Sequence, residues 1–120
     1  MAQIDAELEA LVGDWLSMQE VAQHLACPVT KVRQLLRDHK LLGVNRPGGG
    51  FAIPAAFVGN GHLVKGLHGT LTLLVDCGFD EPEALRWLFT ADDTLPGTPI
   101  QAIAEHRGTE VNRRAQALAL

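Results

Sequence analysis

The stretch WLSMQEVAQHLACPVTKVRQLLRDHKLLGVNRPGGGFAI, residues Trp15 to Ile53, decides the fold. It opens with Ser17-Met18-Gln19-Glu20, the pattern of a capping box: a serine hydroxyl accepts from the amide three residues on, and the glutamate carboxylate reaches back to the serine amide. Leu16 and Val21 stand where a hydrophobic staple would stand, before the cap and at the fourth helical position. Val21, Ala22 and Leu25 then form an apolar stripe, so the spacing predicts a helix from Met18 to about Leu25. Ala26-Cys27-Pro28 breaks it. Pro28 cannot continue that helix, but its fixed φ suits the first turn of the next one, expected over Val29–Asp38.

On a helical wheel Val29, Val32, Leu35 and Leu36 cluster on one side and must be buried. The opposite side carries Thr30, Arg33, Gln34 and Arg37, flanked by Lys31, with no acid until Asp38 at its edge. After this helix come Leu41-Leu42-Gly43-Val44-Asn45, then Arg46-Pro47-Gly48-Gly49-Gly50, then Phe51-Ala52-Ile53-Pro54. Two short apolar segments around a Pro/Gly cluster read as a β-hairpin. The glycine triplet is not a phosphate loop, because no helix opens after it and no Gly-Lys-Ser/Thr follows. Two helices, a tight joint and a hairpin make a winged helix-turn-helix, and a cationic second helix beside such a wing points to DNA.

That expectation assigns roles. Arg33, Gln34 and Arg37 are the residue types that read base edges in a major groove, Arg on guanine and Gln on adenine. Thr30 and Lys31 are placed to hold phosphates, the amides near Ser17 to add one more phosphate contact, and Arg46 at the 46–50 wing to brace the duplex, with Lys40 a further DNA-binding residue.

The formal charge of −4 over 120 residues argues at first against a nucleic acid. The distribution resolves this. Residues 1–27 hold five acids and no Lys or Arg, for −5; residues 28–58 hold five bases and Asp38, for +4; residues 59–120 hold five bases and eight acids, for −3. A positive band between acidic flanks favours a focused contact over indiscriminate coating of DNA.

Other function classes find little. Cys27 and Cys77 form no CxxC pair and are expected as reduced core thiols of a cytoplasmic, nucleoid-associated protein. No apolar run approaches the length that crosses a bilayer, and no charged-then-apolar leader opens the chain. His24, His39, His62, His68 and His106 lack metal-ligand spacing, and no HExxH, GxSxG or Walker motif is present. Gly61-His62-Leu63-Val64-Lys65-Gly66 misplaces the lysine of a phosphate loop. No catalytic residue, cofactor or metal is therefore expected.

Around the central stretch, Ile4, Leu8, Leu11 and Val12 predict an amphipathic helix over Met1–Val12, its stripe packing on the helix-turn-helix or on a partner chain. Pro54 to Phe57 reads as one helical turn. Leu63 to about Val75 fits a helix by length, stopped at Gly78, with small residues that let another helix approach closely. Asp80 caps Glu81 to Phe89, Thr98 caps Pro99 to about His106, and Thr109 caps Glu110 to about Leu118. Trp87, Leu88, Leu95, Ile100, Ile103 and Val111 are the core candidates. The fold class is mainly α: residues 1–58 as the DNA-binding domain with its two-stranded wing, residues 59–120 as a small helical bundle.

The segment WLSMQEVAQHLACPVTKVRQLLRDHKLL resembles MerR-like winged helix-turn-helix domains, with Ala22, Val32 and Leu35 at the packing positions. Ala26 stands where that motif usually carries glycine. A left-handed backbone there would cost alanine about 1 kcal/mol, so a slightly different turn is expected. Taken whole, with GLHGTLTLLVDCGFDEPEALRWLFT and LPGTPIQAI as its most particular stretches, the chain resembles an actinobacterial family of small DNA-binding regulatory proteins. In that family a helical tail follows the winged helix-turn-helix, and the members are associated with Ser/Thr-kinase signalling. The spacing from Ala84-Leu85-Arg86-Trp87-Leu88 to Leu95-Pro96-Gly97-Thr98-Pro99 is also similar to the toxin-binding region of Xre/ParS-type antitoxins. These resemblances imply a sequence-selective DNA-binding regulator acting on double-stranded DNA. The competing class is an interaction adaptor whose acidic helices bind a protein partner, antitoxin-like or kinase-linked. A homodimer is the assembly that would raise the specificity of a single small winged helix.

Overall fold

A computed structural model of the chain describes residues 4–59, 61–93, 95, 97–106 and 108–117. Its first helix, α1 (Ala6–Val12), is capped by the Asp5 carboxylate, which accepts from the Leu8 amide at 2.8 Å. A two-residue strand, β1 (Trp15–Leu16), leads into α2 (Met18–Leu25) and α3 (Val29–Arg37). The capping box at Ser17 is present in both directions, at 3.1 and 2.9 Å. Asp38 follows α3 as its cap and is not part of it.

The wing is β2 (Val44–Arg46) against β3 (Gly50–Pro54), antiparallel, with Asn45 opposite Phe51 and Arg46 opposite Gly50. The hairpin expected from sequence gains a third member. β1 pairs with the other edge of β3, giving the order β1-β3-β2. The joint between α2 and α3 also differs from expectation. Ala26 takes the left-handed conformation itself, φ 54° and ψ 46°, and the Cys27 amide donates to Ala22 O at 3.0 Å. The turn keeps its usual shape and alanine carries the strain, because the buried faces of the two helices dictate their angle.

The second half holds α4 (Leu67–Asp76), α5 (Glu81–Phe89), α6 (Pro99–Ala104) and α7 (Gly108–Ala117). Helix α4 starts four residues later than its apolar pattern predicts. Gly66 takes φ 92° before it, and Leu63 is drawn into a bridge with Val58. Gly78 ends the segment with φ 89°, as expected of a glycine past a C-cap. Helix α7 begins ahead of Thr109, so Thr109 is not its cap, and α6 stops two residues short of His106. The expected residues 1–3 of the first helix and Leu118 of the last lie outside the described residues.

One apolar cluster joins the two halves. Val21, Val32, Leu41, Val44, Ile53 and Phe57 from the winged part are contiguous with Leu67, Leu74, Leu85, Leu88, Ile103 and Val111. The Phe57 and Phe89 rings meet across this seam, centroids 5.9 Å apart. The buried Leu8 belongs to the same cluster, and its helix packs against α5 rather than on the helix-turn-helix. There the Arg86 guanidinium bridges Asp5 and Glu7 at 3.5 and 3.4 Å. Helix α7 lies against α4 over its small residues, and the fully buried Thr70 hydroxyl donates to Asn112 Oδ1 at 2.7 Å. Trp87 and both cysteines are half-buried, and the two thiols are free. No helix among the described residues is long and apolar enough to cross a membrane.

Candidate nucleic-acid interface

Helix α3 presents two chemically opposed sides. Val32 and Leu35 are buried under it, while Thr30, Lys31, Arg33, Gln34 and Arg37 are all solvent-exposed. The first turn holds no acid, and Pro28 precedes it without a side-chain cap. Among the described residues no carboxylate pairs with Lys31, Arg33, Arg37 or Lys40. Their guanidinium and ammonium donors face water, which is the state in which a phosphate or a base edge can claim them. After α3 the chain turns sharply. His39 takes φ 56°, and the Lys40 amide donates to Leu35 O at 2.9 Å, placing the exposed Lys40 just past the helix end.

Ser17 sits at the start of α2. Its hydroxyl accepts from the Glu20 amide and its own amide donates to the Glu20 carboxylate, so an anion at the start of this helix would meet the Met18 and Gln19 amides and the hydroxyl proton. Arg46 is placed differently from the other cations. It ends β2, and the turn proper is the uncharged, exposed Pro47-Gly48-Gly49, with Gly48 at φ 68°. Its Nε donates to Glu9 Oε2 at 2.9 Å, and its guanidinium carbon lies 5.5 Å over the Trp15 ring. The Trp15 indole in turn donates to Glu9 O at 3.2 Å. The cation of the wing is thus held by an acid 37 positions earlier in the chain. Nothing in local sequence spacing signals that contact.

Sequence reasoning also passed over an apolar cleft on this surface. Met18 from α2, Leu36 from α3 and Phe51 from β3 line it, with Arg33 and Arg37 completing its wall; it encloses about 420 Å³. Phe51 lies where it does because residue 43 is glycine. A Cβ there would stand 2.5 Å from Phe51 Cζ and 2.8 Å from Cε2. The signal available in sequence was an aromatic in the second wing strand with a glycine just before the first. The helix, the end of α2 that starts the motif and the wing therefore form one surface. On the wing, Arg46 lies over Trp15. Among the described residues no group of three His, Cys, Asp or Glu could hold a metal.

Two family descriptions match the chain in tandem. Residues 3–58 match "DNA-binding protein Rv2175c, wHTH domain", and residues 64–119 match "Rv2175c C-terminal domain of unknown function". The chain is 40% identical over 114 residues to the DNA-binding protein Rv2175c of Mycobacterium tuberculosis, covering 85% of this chain and 78% of that protein. It is also similar to the NMR structure of Rv2175c, with a TM-score of 0.82, 36% identity, and coverage of 100% of this chain and 89% of the other.

Proposed function

The chain belongs to the Rv2175c family of winged helix-turn-helix DNA-binding proteins, and from this premise we propose that it is a sequence-selective regulator that docks α3 in the major groove of double-stranded DNA. The observation that carries the reading is the outer side of α3: two arginines and a glutamine, all exposed, on a helix whose inner side is locked by Val32 and Leu35. In this reading Arg33, Gln34 and Arg37 take base edges, while Thr30, Lys31 and Lys40 take phosphates. The first-helix amides next to Ser17, those of Met18 and Gln19, take a phosphate on the flank, and the glycine turn after Arg46 lets the wing backbone come close to the duplex. The chemistry is binding, with no catalytic step and no cofactor. Two such surfaces in a homodimer would read two half-sites and raise the specificity that one small module can reach. A link to Ser/Thr-kinase signalling would have to use hydroxyls outside residues 1–16, which contain no Ser or Thr.

The test is a fluorescence-anisotropy titration of the full chain against duplex DNA over a salt series, followed by selection of a preferred site. The log of affinity is expected to fall against log salt with a slope of roughly −3 to −5, as the cations of α3 and its flank displace counterions. On the selected site, Arg33→Ala and Arg37→Ala are each expected to cost ~1–3 kcal/mol and to relax specificity at one base pair. Two variants that bind as tightly as the parent would rule out α3 as the reader. Absence of duplex binding at low salt would shift the function to a protein partner of the C-terminal helices.

A further inference from the structure

The apolar cleft between α2, α3 and β3 has a shape and surround that the base-reading residues do not explain. Its floor is Met18, Leu36 and Phe51, and its cations are Arg33 and Arg37. Met18, Leu36 and Phe51 are each half-buried, so the cleft presents what remains of their apolar surface within a cationic one. A nucleic-acid strand offers the matching pattern, since apolar sugar faces alternate along it with anionic phosphates. The three elements lining the cleft are the start of α2, the outer side of α3 and the second wing strand, so it is continuous with the proposed DNA surface. It also lies between the α2 start and the wing, where the strand bordering the groove would pass. Gly43 gives Phe51 its place, so the floor is set before any ligand arrives.

We propose that this cleft seats a deoxyribose of one DNA strand, beside the two arginines that reach past it to base edges, and so selects deoxyribose over ribose at that nucleotide. The proposal rests on the DNA-binding reading above and adds to it a sugar-selective seat. The chemistry of selection is desolvation. A 2′-hydroxyl carried into the cleft would leave water for Met18, Leu36 and Phe51, none of which offers a strong acceptor for its proton. The guanidinium groups at the wall are donors only and cannot accept from it either.

The experiment uses the full chain and its selected duplex, with each nucleotide replaced in turn by its ribonucleotide and, in a second series, each thymidine replaced by deoxyuridine. Ribose at one position, or at two adjacent ones on the same strand, is expected to weaken binding by about fivefold or more, the cost of an unpartnered buried hydroxyl. That penalty is expected to shrink in Phe51→Ala, which opens the cleft to water, and in Met18→Gln, which supplies an amide oxygen to accept from the hydroxyl. Equal affinity at every ribose position, with duplex binding intact, overturns the seat and leaves the DNA-binding reading standing. A penalty that persists unchanged in both variants assigns it to duplex geometry and also overturns the seat. Sensitivity to deoxyuridine without sensitivity to ribose assigns the cleft to a thymine methyl instead. Failure to bind any duplex removes both readings together.

Discussion

Ala26 and Glu9 carry strain and charge in ways that a neighbouring residue type would release. Ala26 holds φ 54° at the joint of α2 and α3, a conformation that glycine adopts without steric cost. Ala26→Gly is expected to stabilise the fold by up to about 0.5 kcal/mol after allowance for glycine's freer unfolded chain, a rise of up to about 3 °C in melting temperature by calorimetry. An unchanged or lowered midpoint would mean that contacts of the Ala26 methyl outweigh its backbone strain. Glu9 acts on charge. Its carboxylate occupies Arg46 Nε at 2.9 Å, with side-chain exposures of 28% and 33%, so a phosphate at the wing must compete with it. Glu9→Gln is expected to tighten duplex binding by up to about fivefold, the scale of a partly exposed ion pair, and the gain should vanish when Arg46 is also Ala. Equal gains with and without Arg46 would assign the effect to the lost negative charge of α1 alone.

At the level of elements, what sequence made legible is what short-range chemistry controls. Ser17 with Glu20, Asp80 with Glu83 and Thr98 with Gln101 each close a capping box in the structure, because both partners lie three residues apart. The two helices of the motif follow from their stripes, and the glycine stop at Gly78 from its position. The omissions are contacts between distant segments. Strand β1 is only two residues long and has no alternation of its own; β3 defines it by pairing Leu16 with Ile53. Likewise, the stripe of α1 shows that it must be buried but not that α5 buries it. For the candidate surface, the exposed cations of α3 were readable from periodicity. The cleft and the Glu9–Arg46 contact were not, since each joins elements whose relative placement only the fold supplies. The wing allows a sharp test of such placement. In Gly43→Ala the new methyl would collide with the Phe51 ring, so the ring or the strand must shift. A loss of about 1–3 kcal/mol by thermal or urea unfolding is expected, with altered NMR shifts for Met18 and Leu36. A variant as stable as the parent with those shifts unmoved would show that the ring is not held by Gly43.

Across the whole molecule, the continuous core makes the reading head dependent on the helices behind it. Leu8 is 1% exposed on α1, which joins the chain start to α5, and the core runs on from there through Leu85 and Phe57 to Val44. Leu8→Ala is expected to cost about 2–5 kcal/mol and to lower a single calorimetric transition as a whole. Two separate endotherms, only one of them shifted, would show instead that the halves melt independently.

The contact between Arg46 and Trp15 has an optical consequence. Of the two tryptophans, Trp87 sits half-buried on α5, whereas Trp15 lies directly beneath the cation of the wing. Indole emission follows the charges beside the ring, so a ligand that draws Arg46 away from Trp15 also changes the light that Trp15 gives out. The protein therefore contains its own dye for the state of its wing, with a second lamp on α5, away from the Arg46 cation pair, to serve as the reference.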